Sequence, residues 1–81
     1  MFDIYDKNNN KLECKILFTF NKENKDFIVY SDNEDEILAS FYKIEGDKAI
    51  IYPILDDHDY DLVDEELERR GILDEWQSKL Y

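Results

Sequence analysis

The sequence predicts an α+β fold: an antiparallel, meander-like sheet of four to five strands, a C-terminal helix packed on one of its faces, and a short helical tail. Three observations carry this. Apolar residues alternate with period two through most of residues 1–55, polar turn clusters interrupt the alternation, and beyond Pro53 the apolar spacing changes to three and four. With 81 residues the chain is expected to form a single domain, divided into sheet (1–55), helix (56–70) and tail (72–80).

Phe2 to Asp6 alternates and ends at Asn8-Asn9-Asn10, a turn signal because Asn tolerates left-handed backbone. Leu12 to Phe20 reads as one long strand, with Ile16, Phe18 and Phe20 on one face and Leu17 and Thr19 on the other. Asn21 to Lys25 is a polar turn, and Phe27-Ile28-Val29-Tyr30 has the β-branched and aromatic composition that suits a pleated surface. An acidic loop leads to the alternating stretch Ile37 to Ile44. Glu45-Gly46-Asp47 predicts a tight hairpin with Gly46 at positive φ, and Ala49 to Ile54 is the last strand, with Pro53 at its end or on an edge.

The helix begins at the N-cap Asp56, with Asp59 at the capping-box position and Asp57, Asp59 and Asp61 where the helix dipole favours anions. Tyr60, Val63 and Leu67 form its apolar stripe. Arg69 and Arg70 each follow a glutamate by four residues, and Gly71 is a natural C′ residue. Leu73, Trp76 and Leu80 continue at helical spacing, but an unbroken helix would set them opposite the first stripe, so Gly71 is read as a break. The expected core comprises Ile16, Phe18, Phe20, Val29, Ile37, Ala39, Phe41, Ile51, Val63 and Leu67.

Charge is unevenly shared. The formal net charge is −11, yet residues 1–31 hold five acids and five lysines, so the whole excess lies in residues 32–81. Such an excess disfavours direct binding to nucleic acid or anionic lipid, whose phosphates call for Lys and Arg. No apolar run is long enough to span a bilayer, and no basic-then-apolar signal pattern opens the chain, so a cytoplasmic location is expected. The single cysteine, Cys14, precludes an internal disulfide.

Chemical motifs are sparse. Asp57, Asp59, Asp61 and Glu68 match ligand positions of an EF-hand loop, but the obligatory glycine is replaced by Leu62 and the stretch has a helical pattern. His58 has no second histidine, and Cys14 has neither a CxxC partner nor a catalytic signature. With two glycines, Gly46 and Gly71, there is no phosphate-cradling loop. No catalytic activity, cofactor or metal is expected. Aromatics are more informative: both faces of the sheet carry large apolar groups, whereas one helix covers one face. Either the Trp76 tail or a strongly curved sheet covers the second face, or that face meets a partner or a second copy of the chain.

Four blocks occur in a fixed order: Ile16-Leu17-Phe18-Thr19-Phe20, Phe27-Ile28-Val29-Tyr30 running into acids, Ala39-Ser40-Phe41-Tyr42, and Tyr52-Pro53-Ile54 followed by acids and Tyr60. This order resembles the YrzB-like family of small acidic uncharacterised proteins of Gram-positive bacteria (domain of unknown function 1292), whose pattern is VLFTF, YxVY, AxxY, then PI before a helix opening DEEW. Here Tyr60 stands for the family's usual tryptophan, and the stretch from Arg69 to Tyr81 is longer than the family's ordinary end. The resemblance implies the same order of elements and a cytosolic bacterial setting, and it brings no site residues with it.

The expected function is therefore a small acidic protein-binding or regulatory module that meets a protein with a basic surface. Its candidate partner surface is Tyr30, Tyr42, Tyr52 and Trp76, because Tyr and Trp dominate interface hot spots. Its candidate acidic surface is Asp32, Glu34, Asp35, Glu36, Asp57, Asp61, Asp64 and Glu68. The alternative is a nucleic-acid mimic whose carboxylates imitate phosphates and block the basic groove of a DNA- or RNA-handling protein.

Overall fold

A computed structural model describes residues 3–32 and 36–72. Six strands among these residues form one sheet: β1 (Asp3–Tyr5), β2 (Lys11–Leu12), β3 (Lys15–Lys22), β4 (Lys25–Ser31), β5 (Ile37–Glu45) and β6 (Lys48–Tyr52), followed by α1 (Asp57–Arg69). Their order is β2-β1-β6-β5-β4-β3. The α+β expectation holds, with two corrections. The sheet has six strands, and it is mixed, because β1 runs parallel to β6.

One feature of chain length explains the parallel pair. β2 and β3 occupy opposite ends of the strand order, yet only Glu13 and Cys14 separate them, a reach of about 11 Å at most. A flat six-stranded sheet would span about 24 Å at the ~4.8 Å strand spacing, so this sheet must curl until its ends approach. The expected single strand from Leu12 to Phe20 is thus bent between two sheet ends, and β2 and β3 run the same way. β1 reverses once from β2, and β6 reverses three times from β3. Both therefore point the same way when curling brings them side by side.

Curling also decides what lies over the second face. Ile4, Ile28 and Tyr30 are buried on the concave side, packed by Leu12, Cys14, Ile16, Leu38, Tyr42 and Ile51. The convex side carries the helix: Phe27, Val29, Ile37 and Ile54 pack with Leu62, Val63 and Leu67, flanked by Phe18, Phe20, Ala39, Phe41 and Ile72. Two expected core residues change sides. A bulge between Ile16 and Phe18 inserts one residue against β4, so the alternation reverses and Ile16 faces the concave cluster while Phe18 and Phe20 face the helix. Ile51 pairs with Tyr42 and joins the same concave cluster.

Turn chemistry follows the local sequence. Asp6 accepts hydrogen bonds from the backbone N–H groups of Asn8 and Asn10, both at 2.9 Å, and Asn9 takes φ +68°. Glu23 and Asn24 both have positive φ, which twists the β3–β4 hairpin as a type I′ turn does. Gly46 (φ +62°) is the first of two residues between β5 and β6.

Local signals also set both ends of α1. Asp56 is extended and accepts from the His58 N–H at 3.0 Å. At the other end Gly71 (φ +79°) donates to Glu68 and Ile72 donates to Leu67, the paired bonds of a Schellman stop. The inner stripe differs from the expected one. It consists of Asp59, Leu62, Val63, Glu66 and Leu67, while Tyr60 lies to the side and is 39% exposed. The expected helical tail, including Trp76, lies outside the described residues, as do Glu34 and Asp35.

Candidate partner-binding surface

The strand registers bring four aromatic residues into one row. Phe20 pairs with Phe27, Phe27 with Phe41, and Phe41 with Tyr52, so the row crosses β3, β4, β5 and β6 on the convex side. Phe20 and Phe27 stack at 4.8 Å, and the Phe27 and Phe41 rings lie 5.1 Å apart. Phe27 is fully buried, but the far end of the row is open. There a groove of about 570 Å³ is lined by Phe41, Tyr42, Lys43 and Tyr52 from β5 and β6, Lys25 and Asp26 from β4, and Asp59 from α1.

A clasp of ion pairs fixes the helical wall of this groove. Lys25 Nζ lies 2.7 Å from Asp59, Lys22 Nζ 2.9 Å from Glu65, and His58 Nε2 3.0 Å from Glu23. Asp59, only 5% exposed, thus spends its carboxylate on Lys25 and not on the helix cap. The hydrogen bond to Asp59 holds the Lys25 ammonium above its usual pKa, and the Glu23 hydrogen bond raises His58 in the same sense.

Glu66, 4% exposed, anchors the helix's other end. Burial opposes its charge, but hydrogen bonds from Arg69 (2.7 Å) and Arg70 (2.8 Å) outweigh burial and lower its pKa. Both arginines therefore serve Glu66, and Glu65 turns to Lys22 in place of the expected Arg69. Arg70 also stacks over Phe18, 3.9 Å from the ring centre.

The outward face of α1 is different. Asp57, Asp61, Asp64 and Glu68 recur at spacings of four, three and four, which places them within about 60° of arc along roughly 16 Å of helix. Among the described residues the side chains of these four make no hydrogen bond or ion pair. The carboxylates that match an EF-hand pattern thus point to opposite sides of one continuous helix, with Asp59 inward and Asp57, Asp61 and Glu68 outward.

The expected tyrosine surface is not brought together. Tyr30 is 6% exposed on the concave side, its hydroxyl 3.0 Å from that of Ser40, and burial raises its pKa, so it is a core residue and offers nothing to a partner. Tyr52 lies at the groove beside Phe41, whereas Tyr42, although it borders the groove, packs in the concave cluster, so the two tyrosines face opposite sides of the sheet. Asp32 holds the Glu36 N–H at 2.9 Å and donates its own N–H to the Glu36 carbonyl, closing the acidic loop, while the Glu36 side chain is exposed. Sequence reasoning missed Lys43, Asp26 and Leu55, the last being 87% exposed between β6 and α1. The cross-strand register could have pointed to Lys43 and Asp26, whereas Leu55 lies in a connection where no register applies.

Nothing in this arrangement indicates catalysis. Cys14 is half-buried, and burial together with Asp32 and Glu13 raises its thiol pKa, the reverse of what an activated nucleophile needs. Among the described residues no group of three or more His, Cys, Asp or Glu is placed to hold a metal ion, and no helix is long and apolar enough to cross a membrane.

Against known proteins, residues 7–70 match the family model described as "Protein of unknown function (DUF1292)". The chain belongs to the DUF1292 family. It is 34% identical to the "UPF0473 protein YrzB" of Bacillus subtilis (strain 168), over 79% of this chain and 80% of that one. No solved structure matches. The match spans β2 to the end of α1, so the groove and the outward acids both fall within the part that DUF1292 defines.

Proposed function

We propose that this DUF1292 protein is a non-catalytic, cytoplasmic binding module for a protein with a basic surface, held through the outward face of α1. The observation that carries this reading is the division of labour among the helix carboxylates. Asp59, Glu65 and Glu66 are each neutralised by a lysine or arginine of the fold, whereas Asp57, Asp61, Asp64 and Glu68 stand in line with no cation of their own among the described residues. One-signed charge speeds encounter with a basic partner and repels a second copy of a chain that itself carries −11.

The test is capture from bacterial lysate with the full chain as bait, compared with a variant carrying Asp57→Asn, Asp61→Asn, Asp64→Asn and Glu68→Gln. A basic protein lost from the variant supports the reading, and capture unchanged by the four substitutions overturns it. The regular spacing of the four acids also favours nucleic-acid mimicry as a second reading. Added duplex DNA then decides: a captured DNA- or RNA-handling protein released by DNA at constant ionic strength supports mimicry, and retention supports the general module.

A further inference from the structure

Phe41 and Tyr52, the last two members of the aromatic row, stay half-exposed because α1 packs over the opposite end of the row. The groove they floor, at about 570 Å³, is an open trough and not an enclosed cavity, with room to seat one large side chain. Between Tyr52 of β6 and Asp59 of α1, which both line the groove, the connection leaves Leu55 almost wholly in water. The charges on the groove wall cancel: Lys25 and Lys43 balance Asp26 and Asp59, and Lys25 is already held by Asp59. The groove itself therefore selects a neutral, apolar occupant.

Beyond the wall the balance is lost. Asp59 belongs to the first turn of α1, and Asp57 and Asp61, on either side of it in sequence, point outward from the same stretch of helix. A helix is about 10–12 Å across and an extended chain advances about 3.3–3.6 Å per residue, so three or four residues carry a segment from the groove over this turn to the outward acids.

We infer that the groove is the docking site for an apolar, preferably aromatic, side chain of an extended basic segment in the partner protein. The segment's Lys or Arg residues, three or four positions from that anchor, lie on Asp57 and Asp61. This inference rests on the reading of the partner as basic, but anchor and charge can be tested apart.

The experiment is a titration of the ¹⁵N-labelled full chain with three synthetic peptides, followed by amide chemical shifts. The peptides are Trp-Gly-Ser-Lys-Lys, the same peptide with Ala in place of Trp, and Trp-Gly-Ser-Glu-Glu. The first is expected to shift the amides of Phe41, Lys43 and Tyr52 together with those of Asp57 and Asp61. It should bind about tenfold or more tighter than the Ala peptide, the gain from burying one large apolar side chain. Tyr52→Ser should abolish that gain, and Leu55→Ser, at a side chain the fold does not bury, should reduce it in a protein whose folding is unaffected. If the Ala peptide binds as tightly as the Trp peptide, with shifts confined to α1, the groove is not the anchor site although the basic-partner reading survives. If the Glu peptide binds as well as the Lys peptide, the inference fails in its basic half and the reading beneath it is weakened. Absence of shifts with all three peptides at millimolar concentration overturns the inference alone, since capture of a folded partner judges the reading separately.

Discussion

The inner and outer faces of α1 both carry carboxylates and use them in opposite ways. On the inner face Asp59 and Glu66 are nearly inaccessible, and each is met by a basic side chain at 2.7 Å, so a buried charge is matched by a fixed partner. On the outer face the side chains of Asp57, Asp61, Asp64 and Glu68 meet no basic side chain among the described residues. Residue type is the same on both sides. The difference lies in what the fold places opposite each position, and it separates charges that position the helix from charges left for something else.

The largest effects should come from the inner face. Leu67 is fully buried between α1 and the Phe27–Val29 layer, and Leu67→Ala removes that packing and leaves a cavity. The expected loss is about 2–5 kcal/mol in equilibrium unfolding. A loss under about half a kcal/mol, the range of an ordinary surface change, would mean that α1 does not pack on the sheet as described.

Glu66→Gln comes next. It keeps the shape but removes the charge that Arg69 and Arg70 share, and hydrogen bonds to charged groups are worth about 1.5–3 kcal/mol. The pH dependence has a definite sign. The folded pKa of Glu66 lies below its ordinary value of 4.5, so its contribution is complete above that value and fades as pH falls through the lowered one. Wild type should therefore lose stability on acidification below about pH 4.5 more steeply than Glu66→Gln does. Parallel curves would show that the arginines do not hold Glu66. His58 has the opposite sign: its contribution is complete below 6.5 and is lost as pH rises through its raised folded pKa, with Glu23 and Asp59 facing it and Lys25 opposing.

How far this contrast was legible in the sequence depends on the range of the interactions involved. The caps of α1 were legible because Asp56 and Gly71 act within one turn of themselves. The family pattern and the two-layer order were legible for the same reason, since each block is a continuous run. The parallel β1–β6 pair was not, because it follows from closure of the sheet and no local pattern encodes it. Neither was the turn of Ile16 to the concave side, which depends on one residue inserted at a bulge. Asp59 sits in a run of acids that reads as solvated, and its partner Lys25 lies 34 residues away, so its burial had no local signature. The groove arose in the same way: Phe41 read as core and Tyr52 as surface, and the register shows them as neighbours in one row that the helix covers only in part.

The smallest effects sharpen the comparison most, because they ask whether the outer face is free of structural duty. Asp57, in the first turn, gains from the helix dipole, and removing its charge forfeits a contribution of about 0.3–1 kcal/mol. The same change relieves repulsion from Asp61 four residues on, of about 0.2–0.5 kcal/mol, so the two terms largely cancel. For Glu68, in the last turn, the terms add: its charge opposes the dipole and repels Asp64, four residues earlier. Glu68→Gln should therefore stabilise the protein by up to about 1 kcal/mol at low ionic strength, while Asp57→Asn changes stability by less than half as much. Both effects should shrink as salt is raised. Chemical denaturation of the two variants at low and moderate salt makes the comparison. If Glu68→Gln instead destabilises the fold, then Glu68 is held by a cation of the chain, and the outer face is not the unpaired row that the proposed partner requires.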